Sequence, residues 1–187
     1  MRILLSALLL FVSPVVFSAK YQSCMYRAEN PHPYRVEELA LLESCLIVDN
    51  GAIAVNPRHL ERMRFDDHGL ASFFYDGGTY YVNQDGKTIR SLYLSFNFGP
   101  DDFWEDIARS ETDDKIGYFN RDLDPIVEPK YDWGSIFQNG VAVVCIGCER
   151  VPSCDDSFFL AGGKWGLINR QGVEIVPPIY DRDAIGF

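Results

Sequence analysis

The sequence predicts an all-β fold. Short antiparallel β-units follow one another as an array forming one compact or solenoid-like domain, with one or two short helices near the N-terminus. Three observations carry this. A block at residues 115–132 recurs without a gap at residues 164–181. Short apolar runs are bounded by Asn, Gly and Pro, which end strands and form tight turns. Helical periodicity is weak outside the N-terminal third. The 187 residues are 47% hydrophobic and 24% charged, a balance that buries a core rather than leaving the chain disordered. Acidic residues outnumber basic ones, 27 to 17, for a net charge of -10. Nucleic acid and anionic membrane surfaces select for clustered Lys and Arg, so this balance excludes both as expected partners.

Residues 1–19 have the three parts of a secretory signal peptide. Arg2 gives a positive start, Ile3 to Val12 an apolar run, and Ser18 and Ala19 the small residues before polar Lys20. The run is too short to span about 30 Å of hydrocarbon, and no later segment is long enough. The expectation is an exported protein, periplasmic or secreted, with no transmembrane segment after cleavage. Loss of Arg2 leaves 16 basic against 27 acidic residues, a net charge of -11.

Residues 20–64 are read as an N-terminal segment tied by a disulfide. All five cysteines, Cys24, Cys45, Cys145, Cys148 and Cys154, lie beyond the leader. Export makes disulfides the default state. Chain order pairs Cys24 with Cys45, and two of Cys145, Cys148 and Cys154 with each other. Two helices are expected here, at residues 36–44 and 57–63. The second has Asn56 as N-cap and Pro57 at the first helical position.

Residues 65–187 hold the repeats, with approximate units 65–95, 103–132 and 137–187. Half the positions of 115–132 and 164–181 are identical, among them Gly117 with Gly166, Asn120 with Asn169, Pro129 with Pro178, and Tyr131 with Tyr180. A weaker copy spans 77–89, where Thr79 and Tyr80 replace the Trp165-Gly166 pair. A lead-in element recurs as Phe65-Asp66, Phe103-Trp104 and Phe137-Gln138. Within a unit, Gly140 to Ile146 suits one strand and Trp165 to Ile168 a second. Asn169-Arg170-Gln171-Gly172 then suits a turn and Glu174-Ile175-Val176 a return strand, before Pro177-Pro178 ends pairing.

The run Gly163-Lys164-Trp165-Gly166-Leu167-Ile168-Asn169-Arg170-Gln171-Gly172, followed by Ile175-Val176-Pro177-Pro178-Ile179-Tyr180-Asp181, resembles one unit of the WG β-repeat family. Residues 115–132 resemble a second unit with Ile116 at the Trp place, and 77–89 a divergent third. The resemblance implies a β-rich repeat fold and no catalytic residues. Trp165, Gly166, Gly117, Tyr131 and Tyr180 are then repeat-defining, with Trp165 in the core. Burying such a ring removes around 200 Å² from water, worth a few kcal/mol as an upper estimate.

Site chemistry is sparse, and neither a cofactor nor a metal is expected. Cys145-x2-Cys148-x5-Cys154 has three thiolates in zinc-like spacing but no histidine nearby, since the only ones are His32, His59 and His68. The pairs Asp66-Asp67, Asp101-Asp102, Asp113-Asp114 and Asp155-Asp156 lack the alternating spacing of a calcium loop and read as solvated turn carboxylates. Nucleophile, zincin and phosphate-loop motifs are absent. The expected function is a binding or interaction module without catalytic activity, its partner a protein or an envelope polymer. Its exposed aromatic surface is expected at Phe98, Phe103 and Trp104 in one loop and at Phe158 and Phe159 after Cys154. The alternative is a small exported hydrolase whose acidic cleft holds His59 or His68.

Overall fold

A computed structural model describes residues 20–28, 40–94, 99–153 and 158–186. The leader, His32, Phe98 and Cys154 lie outside these residues, as does the pair Asp155-Asp156. The fold is all-β. Its elements in chain order are β1 (Gln22–Tyr26), β2 (Ala40–Asp49), β3 (Ala52–Val55), α1 (Pro57–Leu60), β4 (Leu70–Tyr75), β5 (Gly78–Asn83), β6 (Thr88–Ser91), β7 (Tyr93–Leu94), β8 (Gly99–Pro100), β9 (Ile107–Thr112), β10 (Lys115–Asn120), β11 (Pro125–Tyr131), β12 (Trp133–Gly134), β13 (Val141–Pro152), β14 (Phe158–Asn169) and β15 (Glu174–Tyr180), closed by a 3-10 turn at Arg182–Ala184.

Three antiparallel meanders repeat one plan: β4-β5-β6, β9-β10-β11 and β13-β14-β15. They are called here the first, middle and last unit. In each, the second and third strands are joined by a turn built around an asparagine. Asn83 Oδ1 accepts from the backbone of Asp85 and Lys87, Asn120 Oδ1 from Asp124, and Asn169 Oδ1 from Gln171 and Val173. The third residue after each Asn takes a positive φ, which glycine adopts at Gly86 and Gly172 without strain. Leu123 holds the same place in the middle unit at φ 58, because its side chain is buried between the first and middle units.

The N-terminal strands extend the first unit. The six-stranded order is β3-β2-β1-β4-β5-β6, with Met25 opposite Phe74 and Tyr26 opposite Phe73. Cys24 and Cys45 form the disulfide between neighbouring β1 and β2, Cα atoms 5.6 Å apart, within a core of Tyr26, Leu46, Met63, Phe73 and Val82. The helix expected at 36–44 is corrected here: from Ala40 onward the chain is strand β2, and 36–39 fall outside the described residues. Ala, Leu and Glu favour helix, but propensity yields to tertiary context, and β2 pairs on both sides, with β1 and with β3. The second helix forms from Pro57 but stops at Leu60, with the Asn56 side chain accepting from Arg58 N.

Candidate functional site

The junctions between units are held by tyrosines and lead-in residues of the repeat. At the middle-strand position, Tyr81 donates its hydroxyl to the Asp101 carbonyl at 2.9 Å, and Tyr118 donates to the Ser135 carbonyl at 2.9 Å. In both cases the acceptor lies two residues before a lead-in phenylalanine, which packs on the same tyrosine: Phe103 at 5.1 Å from Tyr81, Phe137 at 5.2 Å from Tyr118. Burial pushes both phenols well above the usual tyrosine range. Each unit therefore hooks the lead-in of the next.

The acceptor residue also caps the following strand. Ser135 Oγ accepts from Val143 N, and Asp101 Oδ2 from Arg109 N. Asp101 is 1% exposed and holds Arg109 in a two-pronged ion pair, Nε to Oδ2 at 2.9 Å and Nη2 to Oδ1 at 2.6 Å. Arg109 Nη1 reaches the Gly134 carbonyl, so one guanidinium touches the lead-ins of two units. Burial opposes the Arg109 charge, but the Asp101 hydrogen bonds and charge outweigh it and hold the guanidinium protonated. The solvated-turn reading is thus corrected for Asp101. It fits Asp113 and Asp114, whose positive φ angles form the two-residue turn between β9 and β10.

Gly117 and Gly166 sit where the return strand bulges. The register shifts between Ile116 and Tyr118 and between Trp165 and Leu167, so extra backbone folds across each glycine. A Cβ on Gly166 would lie 2.4 Å from the Val176 carbonyl oxygen, and one on Gly117 2.5 Å from that of Val127. The first unit has Tyr80 at this place, and there β5 and β6 pair in unbroken register. Glycine and bulge occur together or not at all.

Trp165 is 2% exposed. Its ring lies 5.7 Å from that of Trp133, its Nε1 donates to the Gly162 carbonyl, and the Arg182 guanidinium covers it at 5.1 Å. It shares a cluster with Val143, Cys145 and Cys148. Cys145 and Cys148 form the second disulfide. It lies within β13, where Gly147 takes positive φ, as Gly162 and Gly163 do on the facing strand β14. Among the described residues no group of three His, Cys, Asp or Glu side chains converges as a metal site requires.

These geometries are those of repeats matched by a family model described as WG containing repeat, at residues 116–147 and 165–184. These two stretches of the chain are WG-containing repeats. Neither curated proteins nor solved structures give a match. The first unit lies outside the matched stretches, yet it has the same meander, the same Asn turn and the same tyrosine hook. No helix among the described residues is long and apolar enough to cross a membrane.

The aromatic candidates divide. Phe158 and Phe159 are 52% and 54% exposed, and Trp104 is also exposed. Phe103 is corrected: it is half-buried, edge-on to Phe119 at 5.6 Å with the Arg121 guanidinium 4.5 Å above its ring. Its equivalence to buried Phe137 in the repeated lead-in was the sequence signal for this. Sequence reasoning also missed Asp101 with Arg109, and the two tyrosine hooks. His59 is held by Tyr26, hydroxyl to Nδ1 3.0 Å, and by the Glu43 backbone; burial and then Arg62 lower its pKa. His68 is exposed in a turn where Asp66 Oδ1 accepts from its backbone N. One cleft of about 340 Å³ lies beside Thr79, lined by Met25, Phe74, Tyr93 and Asp102. Thr79 is buried at the position of Trp165, and its hydroxyl has no partner among the described residues.

Proposed function

We propose that this protein is an exported interaction module without catalytic activity, which binds an envelope protein or polymer through the far end of the β13–β14 hairpin. The observation that carries this is the pair Phe158-Phe159, two adjacent rings each more than half exposed. Adjacent strand residues point to opposite faces, so the hairpin end offers an apolar ring on both sides. The register runs unbroken from Val141 opposite Asn169 to Pro152 opposite Phe158, which makes the hairpin a single long arm. The Cys145–Cys148 disulfide and the Arg150 guanidinium, 5.3 Å over Phe158, brace it. Paired exposed aromatics supply large contact area at low entropic cost.

The module reading is favoured over the hydrolase because His59 is engaged by Tyr26 and the Glu43 backbone rather than poised beside a carboxylate. The leader-like residues 1–19 and the disulfides support export. Mass measurement of the mature N-terminus tests that part: retention of residues 1–19 would overturn it. Binding is tested by capture from an envelope fraction with the wild-type chain and a Phe158→Ser, Phe159→Ser double variant. The expected result is loss of captured partner with an unchanged thermal midpoint. Equal capture by both would remove the hairpin end as the binding surface.

A further inference from the structure

Inside the array, the return strand of one unit is covered by the Asn turn of the next. Leu123 of the middle unit packs with Ile89 of the first, and Lys87 bonds the Asp122 carbonyl and the Asp124 carboxylate. In the last unit, Gly172 lies directly against Ile126 and Val127, where a Cβ would come within 2.8 Å of the Ile126 carbonyl oxygen. Glu174 then accepts from both Lys130 Nζ and Tyr131 Oη at 2.9 Å. Tyr131 is consequently 0% exposed. Its repeat equivalent in the last unit, Tyr180, is 43% exposed, beside Ile175 at 50% and Ile179 at 62%. At the other end of the array the corresponding turn is already occupied, since Gly86 faces Leu60 and Thr88 bonds the Ile53 carbonyl. Among the described residues one junction surface is left uncovered, and it is on β15.

We infer that this β15 face is a homodimer interface, occupied by the same face of a second copy of the chain. Two features select that occupant. An ordinary following unit would bring a glutamate, as Glu174 is brought to Lys130, but the last unit has Ile179 at the lysine position. An acidic turn would keep only the Tyr180 hydroxyl there and lose its counter-charge, whereas a second Ile175, Ile179 and Tyr180 matches the apolar surface across a two-fold axis. Strand addition at this edge is blocked, because Pro177 and Pro178 have no N–H to donate. The copies thus meet through side chains, continuing the apolar packing that joins the units within one chain.

The test is light scattering of the purified disulfide-intact chain at about 100 µM, above the micromolar dissociation constants of the weaker standard interfaces. The expected mass is near twice that of one chain. Ile179→Lys restores the residue of the middle unit and should return the mass to that of a monomer, as should Ile175→Asp, with thermal midpoints kept in the dilute limit. The Phe158→Ser, Phe159→Ser variant should still dimerise, which separates this interface from the hairpin end. A wild-type monomer at this concentration overturns the inference. So does a dimer unaffected by both isoleucine substitutions, or one abolished by the phenylalanine substitutions alone.

Discussion

Replacing Gly166 by alanine tests the reason a WG unit needs its glycine. The added Cβ would lie 2.4 Å from the Val176 carbonyl oxygen, 2.7 Å from Pro178 N and 2.8 Å from the Pro177 carbonyl carbon. All three are backbone atoms, so no side chain can swing aside, and the bulge itself must move. Overpacking of this kind costs about 1–3 kcal/mol. Alanine's lower unfolded-state entropy returns up to about 1 kcal/mol. The net expectation is about 1–2 kcal/mol of destabilisation, or about 2–8 °C in thermal midpoint for a chain of this size. Gly117→Ala meets the Val127 oxygen at 2.5 Å and should cost a similar amount. Gly77→Ala is the control: nothing lies within 4 Å, and only its φ of 72° opposes the change, at about 1 kcal/mol. Urea unfolding at constant slope measures all three. A cost below about 0.5 kcal/mol for Gly166→Ala and Gly117→Ala would refute the steric origin of this glycine, since two backbone clashes cannot both be free.

Three further outcomes follow from the same geometry. Asp101→Asn leaves Arg109 buried without its counter-charge and should cost about 3–5 kcal/mol in the same urea assay; a cost near that of a surface pair, under about 1 kcal/mol, would contradict the ion pair's burial. Tyr81 and Tyr118 have folded pKa values above their unfolded ones, so their stabilisation is complete below about pH 10 and declines as pH rises beyond it. Tyr118→Phe should flatten the alkaline limb of stability against pH, and an unchanged limb would argue against its burial as a neutral phenol. Replacing Cys24 and Cys45 together by alanine removes a cross-link between residues 21 apart and should cost about 3 kcal/mol by loop entropy, against about 2 kcal/mol for Cys145 with Cys148, 3 apart; denaturation of both double variants ranks them, and the reverse order would show that local packing outweighs loop length.

The repeat was legible because its turns are local. Asn169 to Val173 close on themselves through one side chain, and Asn83 and Asn120 do the same. Sequence alignment therefore found the meander even where Thr79 and Tyr80 replace the Trp-Gly pair. The core position of Trp165 was legible for a related reason: the largest ring of a repeat is the side chain that gains most from burial. Other residues resisted because partners distant in the chain decide them. Ala40 to Ser44 carry helix formers, but pairing with β1 and β3 makes them strand. Asp101 looks like any turn carboxylate until Arg109 is seen across it.

By itself the sequence determined an all-β chain of repeated units, the turn chemistry that closes each unit, and the pairing of Cys24 with Cys45. These rest on interactions within a few residues or on equivalence between copies. Only the tertiary structure decided that Phe103 faces inward while Phe158 and Phe159 face out, that Gly166 lies under a bulge, and that no described residue covers Tyr180 on β15 as Glu174 covers Tyr131. Exposure is a property of what packs on a residue, and that neighbour comes from elsewhere in the chain.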